Sequence, residues 1–155
     1  MPTPDFVLEL RRHVGHAPLW LHGVTAVVVD GSRVLLGRRA DTGAWAPITG
    51  IIDPGEQPAV AAAREVLEET GVVVEVERLA SVGSSPLMEH VNGDLAQYLD
   101  LTFACRYVSG EPHVADEEST DVRWFDPDAL PPMAPELLAR IDAALHGGPE
   151  AQFVR

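Results

Sequence analysis

A chain of 155 residues in which 46% are apolar can bury one core, so the sequence predicts a single domain over residues 1–155. The formal net charge of −13 has the wrong sign for a general nucleic-acid-binding surface, and no nucleic-acid partner is expected. Charged residues interrupt the apolar residues of Met1 to Val14, which excludes a membrane span there and predicts no membrane partner. The single cysteine, Cys105, suits a reducing compartment, and we expect a cytoplasmic protein.

The first third of the chain predicts a helix, a β-hairpin and a long loop. Apolar residues recur at helical spacing over residues 5–14, behind a Pro-Asp start. Two β-branched or aliphatic runs, 23–29 and 33–39, flank an Asp-Gly turn and predict a hairpin. Residues 40–57 are rich in Gly, Pro and Asp without a sustained period, which predicts a long loop of the kind that is usually functional.

The rest of the chain predicts a central helix followed by strands and a C-terminal helix. Strong helix formers over 58–70 are bounded by an early proline and by Gly71. The later predicted elements are strands 72–82 and 96–108 around an Asn-Gly-Asp turn, strand 122–125, helices 127–130 and 135–145, and a frayed tail 147–155. Together they predict an α/β fold with a mixed sheet and flanking helices.

Three carboxylates lie on one side of the predicted central helix. At about 100° per residue, Glu65, Glu68 and Glu69 share one edge. The predicted core side holds four other residues, namely Ala59, Ala63, Val66 and Thr70. Like charges three and four residues apart repel each other unless a cation offsets them. Hard oxygen ligands suit Mg²⁺, with Mn²⁺ as a second choice, so the helix predicts a divalent-metal site. A solvated acidic face is the plainer alternative.

The residues before this helix complete a motif. Gly50 and Gly55 permit turns that bring Glu56 close to the acidic edge, where Arg64 could pair with it and hold Glu65. The full string is Gly50, five residues, Glu56, seven residues, then Arg64-Glu65-Val66-Leu67-Glu68-Glu69-Thr70-Gly71-Val72. It resembles the Nudix box at every defined position. The resemblance implies an α/β/α sandwich with a mixed β-sheet, in which residues 50–72 form a loop-helix-loop catalytic motif.

The resemblance also implies roles for the acidic residues of the motif. Glu68 and Glu69 would bind the essential metal, and Glu65 would be a metal ligand or the general base. Arg64 with Glu56 would form an orienting pair.

Residues around these acidic groups receive roles by the same resemblance. The carbonyl of Thr49 would be a further metal ligand, although many relatives have glycine at that position. Gly50 and Gly71 would be structural. Glu118 matches the place where relatives often supply another metal-binding or basic glutamate, and whether it or Glu117 points inward stays open.

Three residues are candidates for substrate contact. Arg38 and Arg39 end a predicted strand and face the loop, where they would bind phosphate or be ordinary surface charges. Trp45 would stack on a base or, as the preferred interpretation, anchor the long loop.

The expected activity follows from the resemblance. It implies a metal-dependent pyrophosphohydrolase that cleaves a phosphoanhydride bond in a nucleoside diphosphate linked to another moiety, such as ADP-ribose or a nucleotide sugar. Two alternatives stay open, a nucleoside triphosphate pyrophosphohydrolase and a non-catalytic nucleotide-sensing module. The expected partner is a small nucleotide-type molecule, and a homodimer through the N-terminal helix is left open.

Overall fold

The strands within residues 3–155, the part of the chain that the computed structural model describes, form one mixed sheet. The strands are Leu19–Asp30 (β1), Arg33–Arg39 (β2), Trp45–Ala46 (β3), Ile48–Ile51 (β4), Val73–Ser84 (β5), Met88–Glu89 (β6), Leu95–Ser109 (β7) and Ser119–Phe125 (β8). The helices are Asp5–Val14 (α1), Pro58–Thr70 (α2) and Pro135–His146 (α3), with a 3-10 turn at Pro127–Ala129. The predicted domain begins at residue 1, and its first two residues lie outside the described part.

A parallel pair of long strands forms the centre of the sheet. β1 and β7 run side by side from the pair Leu19 and Ala96 to the pair Val29 and Arg106. The path across the sheet is β3-β2-β1-β7-β5, with β4 beside β1, β6 beside β7 and β8 beside β2. Every one of these pairs except β1 with β7 is antiparallel. A parallel pair needs a long crossover, and here the chain between β1 and β7 includes α2.

Helices cover both faces of this sheet. Successive strand residues point to opposite faces, so Val24 packs in the core beneath α2 while Val27 packs in the core beneath α3. Val66 of α2 and Ile141 of α3 are the matching contacts from the helices. The predicted α/β/α sandwich with a mixed sheet is therefore confirmed.

Two stretches differ from the sequence-based expectation. The predicted loop 40–57 contains β3 and β4, and β4 pairs with β1 from Gly23 opposite Ile51 to Ala26 opposite Ile48. Strands this short leave no measurable period in the sequence. The prediction of a frayed tail is also wrong at Gln152. The Gln152 N–H donates to Ala80 O, and the Gln152 carbonyl accepts from Val82 N. Because β5 is an edge strand, its exposed backbone groups are open to such pairing.

The predicted turns and the N-terminal helix are present. The Asp-Gly turn at Gly31 joins β1 to β2, and the turn at Gly93 joins the short β6 to β7. Val7 of α1 is buried against Leu21 and Ala96, so α1 packs on the sheet of its own chain. Across residues 3–155, each helix is too short or too polar to cross a membrane.

Candidate active site

The helix α2 is defined at both ends by backbone chemistry. It begins with Pro58, whose fixed φ suits the first helical turn, and it ends at Gly71, which adopts a left-handed φ of 70°. The Gly71 N–H donates to Leu67 O at 2.9 Å and closes the last turn. Both boundaries agree with the sequence prediction.

The predicted separation of an acidic edge from a core side is wrong for two of the three glutamates. Glu65 and Glu69 are only 3% and 6% exposed, whereas Glu68 is exposed. Residues 65 and 69 are one turn apart and adjoin the fully buried Val66. The buried arc of α2 is therefore wider than its apolar stripe, because strand β4 and residues 110–118 also contact the helix.

The predicted core side of α2 is correct for two of its four residues. Val66 and Thr70 are fully buried, while Ala59 and Ala63 are half-buried and line an apolar surface groove beside β5. Ala61 and Ala62 are the helix's fully buried alanines. The helix is thus rotated about its axis relative to the expectation.

Arg64 joins the acidic groups into a network. Its Nε and Nη2 donate to the two carboxylate oxygens of Glu56 at 2.8 and 2.9 Å. Its Nη1 donates to Glu65 Oε1 at 2.9 Å and to Glu68 Oε2 at 3.3 Å, and Nη2 also reaches Ile51 O at 3.3 Å. The hydrogen bonds from Arg64 hold the pKa of Glu56 below its usual value. The pairing of Arg64 with Glu56 that the spacing predicted is present.

The strand β4 contributes Gly50 and backbone carbonyls that point away from β1 to this network. A Cβ at Gly50 would overlap the carboxyl group of Glu65, so the position requires glycine. Ile52 N donates to His22 O, and the alternation of an antiparallel ladder then turns the carbonyls of Thr49 and Ile51 away from β1. The hydrogen bond from Arg64 to Ile51 O agrees with this direction. The same alternation puts the Thr49 carbonyl on the edge that Ile51 O occupies.

The buried carboxyl groups resist ionisation. Burial raises the pKa of Glu65 to about 7, against the opposing effect of Arg64. Burial, together with the nearby charges of Glu118 and Glu65, raises the pKa of Glu69 to about 8. The site therefore gathers more carboxylate than its arginine neutralises.

The structure separates Glu118 from its neighbour Glu117. Glu118 is half-buried and its charge raises the pKa of both Glu65 and Glu69, whereas Glu117 is exposed. The backbone of Glu118 is held by Asp116 Oδ1 on its N–H and by the N–H of Ala40 on its carbonyl. Glu118 is thus the residue of this pair that lies beside the acidic cluster.

The donor chemistry of the site fits a divalent cation. No three acidic, histidine or cysteine side chains in residues 3–155 are arranged as a ready-made metal site. However, the half-buried Glu118 lies near enough to the buried Glu65 and Glu69 for its charge to raise the pKa of both. A hard divalent cation is the partner that such ligands prefer, and it would lower the pKa values that burial raises.

Of the two candidate arginines for substrate contact, one lies near the acidic residues and the other is exposed. Arg39 donates to both oxygens of Asp41 at 2.9 and 2.7 Å and lies near the charges of Glu118 and Glu69, while the exposed Arg38 donates to Gly43 O. Sequence reasoning missed Asp41 as the partner of Arg39, although the two are only two residues apart.

Trp45 packs against residues of β8. Its ring packs edge-on against Phe125 with 4.8 Å between centroids, and the Arg123 guanidinium lies 5.9 Å from its centroid. Both contacts belong to the α3 side of the sheet, so the anchoring interpretation of Trp45 fits the structure better than base stacking.

Raising the pH should weaken the metal-free protein. A carboxyl group whose pKa is higher in the folded than in the unfolded chain contributes stability at low pH and loses it as the pH rises. Since Glu65 and Glu69 titrate at about 7 and about 8, the metal-free Tm should fall between about pH 4.5 and pH 8.

Thermal unfolding with chelator, Mg²⁺ or Mn²⁺ at several pH values checks this expectation. The rise in Tm caused by metal should be small at about pH 5.5 and larger at about pH 8.5, because the ligands must be deprotonated. A metal-induced shift that is independent of pH would contradict the assignment of these two carboxylates.

Comparisons with known proteins identify the family of the chain. A model of the NUDIX domain matches residues 20–145. A MutT-like protein of Streptomyces ambofaciens is 38% identical over 138 residues, which is 87% of this chain and 84% of the relative. The NAD-capped RNA hydrolase NudC of Pseudomonas aeruginosa is 38% identical over 109 residues, which is 69% of this chain and 36% of the relative. This chain thus matches just over a third of that relative's length.

A solved structure gives the same answer for the fold. The crystal structure of a UDP-X diphosphatase superposes with a TM-score of 0.67 at 25% identity, covering 90% of this chain and 68% of that chain. The matched residues 20–145 include α2. The chain belongs to the NUDIX family of hydrolases, which act on pyrophosphate bonds.

Proposed function

We propose that this chain is a divalent-metal-dependent pyrophosphohydrolase whose substrate is a nucleoside diphosphate linked to another moiety, of the ADP-ribose or nucleotide-sugar type. The observation that carries the proposal is the acidic cluster of the buried Glu65 and Glu69 and the half-buried Glu118, beside the Arg64 network. The similarity of this chain to a UDP-X diphosphatase and to an NAD-capped RNA hydrolase supports it. The net charge of −13 favours a small molecule over RNA as the natural substrate.

The residues that would hold Mg²⁺ or Mn²⁺ are Glu65, Glu68, Glu69, Glu118 and the carbonyl of Thr49. When bound, the metal supplies charge neutralisation on the diphosphate and acidifies a water molecule. Arg64 fixes Glu65 through one hydrogen bond while Glu56 fixes Arg64 through two. These hydrogen bonds hold the carboxylates in fixed positions before the substrate binds. Such preorganised groups stabilise the transition state more strongly in a buried site than in water.

The reaction itself is an in-line attack of water on phosphorus. A glutamate carboxylate, either Glu65 or Glu118, accepts the proton of the attacking water. The phosphoanhydride bond breaks and its oxygen leaves with the departing phosphate, so both products carry phosphate. Arg39 lies near Glu118 and is the candidate for a contact with the substrate's phosphate oxygens.

A coupled-assay panel tests the proposal. Purified protein with Mg²⁺ is offered ADP-ribose, UDP-sugars, NAD, NAD-capped RNA and nucleoside triphosphates. Phosphate should appear from the diphosphate-linked compounds only when alkaline phosphatase is added, because the products are monophosphates.

Other outcomes of the panel would replace the proposal. Phosphate that depends on inorganic pyrophosphatase, released from triphosphates, would establish the triphosphate alternative. Nucleotide binding without product from any compound would establish the sensing module. Turnover of NAD-capped RNA in preference to free NAD would overturn the small-molecule assignment.

A further inference from the structure

A segment remote in sequence caps the C-terminal end of α2. Residues 110–118, here called the capping segment, connect β7 to β8. The His113 N–H donates to Thr70 O at 3.0 Å, and the Ala115 N–H donates to Glu69 O at 3.1 Å. Carbonyls in the last turn of a helix have no partner within the helix itself. The capping segment therefore binds two of them, including that of the buried Glu69.

The capping segment approaches α2 closely at Gly71. A Cβ at Gly71 would overlap the imidazole ring of His113. The ring is oriented by a hydrogen bond from its Nδ1 to Glu111 O at 2.8 Å, in which the carbonyl accepts. On the other side, a Cβ at Gly110 would overlap Gly71 O. The His113 ring thus lies directly on the residue that ends α2.

The same segment carries Glu118. Between Ala115 and Glu118 the backbone is closed by the hydrogen bond from Glu118 N to Asp116 Oδ1 at 3.0 Å. This short turn leaves little freedom between the docking point on α2 and the glutamate. The position of Glu118 relative to Glu65 and Glu69 therefore follows the position of the segment on the helix.

We propose that His113 is a positioning residue, whose ring packed on Gly71 sets the docking of the capping segment on α2 and thereby places Glu118 beside the acidic cluster. The inference rests on the proposed function for its activity readout. A purely local role of Gly71, as a residue that tolerates left-handed backbone, makes a different prediction, because removing His113 would then not compensate a substitution of Gly71.

Three variants and one control separate these roles. The variants are Gly71→Ala, His113→Ala and the double variant. Gly31→Ala is the matched control, because Gly31 is also left-handed, at a φ of 59°, but has no atom within 4 Å of its added Cβ. For each protein, kcat and KM are measured with the best substrate, and hydrogen exchange is followed for the amides of residues 113 and 115.

The expected result is a rescue. Gly71→Ala should lower kcat by about tenfold or more and speed exchange at both amides, since a misplacement of ~1 Å can cost on the order of 100-fold. His113→Ala removes the ring without creating an overlap, so it should lower kcat by less than Gly71→Ala does. The double variant should return to within about threefold of His113→Ala in kcat, although the backbone strain at residue 71 remains. Gly31→Ala should lower Tm but keep kcat within about twofold.

Two outcomes would overturn the inference. One is a double variant as slow as Gly71→Ala, and the other is unchanged exchange at residues 113 and 115 in Gly71→Ala. If Gly71→Ala does not fold, His113→Ala decides, because its side chain is exposed: faster exchange and a lowered kcat support the inference, and wild-type values for both refute it. If the wild type turns over no compound, the proposed function fails while the exchange data still decide the role of His113.

Discussion

Replacing Glu69 by glutamine should remove most turnover and, at the same time, raise the stability of the metal-free protein at about pH 8.5. Glu69 is 6% exposed, and burial with the charges of Glu118 and Glu65 raises its pKa to about 8. A neutral amide removes this unfavourable buried charge but also a proposed metal ligand. We expect kcat/KM to fall by at least ~100-fold, because a proposed metal ligand is lost. For a chain of this size, each kcal/mol gained in the free energy of unfolding raises Tm by about 2–4 °C.

Glu117→Gln is the matched control for this variant. It makes the same change of charge at an exposed residue adjacent to Glu118, and it should alter neither turnover nor metal-free Tm measurably. Thermal unfolding with chelator and steady-state kinetics with Mg²⁺ measure both effects. A Glu69→Gln protein that keeps near-normal turnover would remove Glu69 from the site.

Replacing Arg64 by lysine should lower both activity and stability, although the charge is conserved. Lysine cannot reproduce the two parallel hydrogen bonds to Glu56 while also reaching Glu65. Because the Arg64 side chain is 23% exposed, we expect a loss of about 2 kcal/mol in the free energy of unfolding, below the value for a fully buried pair. Turnover should fall by about tenfold or more, as Glu65 loses its orientation.

Urea unfolding of Arg64→Lys beside Arg33→Lys tests the specificity of this effect. Arg33 pairs with Asp30 on the surface, and its replacement should cost less than about 0.5 kcal/mol. A double-mutant cycle with Glu56→Gln should give a coupling energy above about 1 kcal/mol for Arg64 and Glu56. A coupling near zero would show that the pair seen in the structure does not hold the site together.

The predictions are correct where the interacting residues are close together in the sequence, and they fail where the interacting residues are far apart. The pairing of Arg64 with Glu56 and Glu65 could be predicted, because both ends of α2 and the approach to it are set by nearby glycines and proline. The short strand β4 could not be predicted, since its four residues form a strand only by pairing with β1. The bridge of Gln152 to the edge of β5 arises in the same way.

The sequence by itself determined the glycine, arginine and glutamate spacing within residues 50–72, which brings Glu56, Glu65 and Glu68 into contact with Arg64. Only the tertiary structure decided that Glu65 and Glu69 are buried, that Glu118 lies beside them, and that residues 110–118 cap α2. The physical reason is that burial and capping depend on residues outside α2, namely strand β4 and a segment about forty residues further along the chain. The helical periodicity of α2 carries no information about which residues outside the helix pack against it.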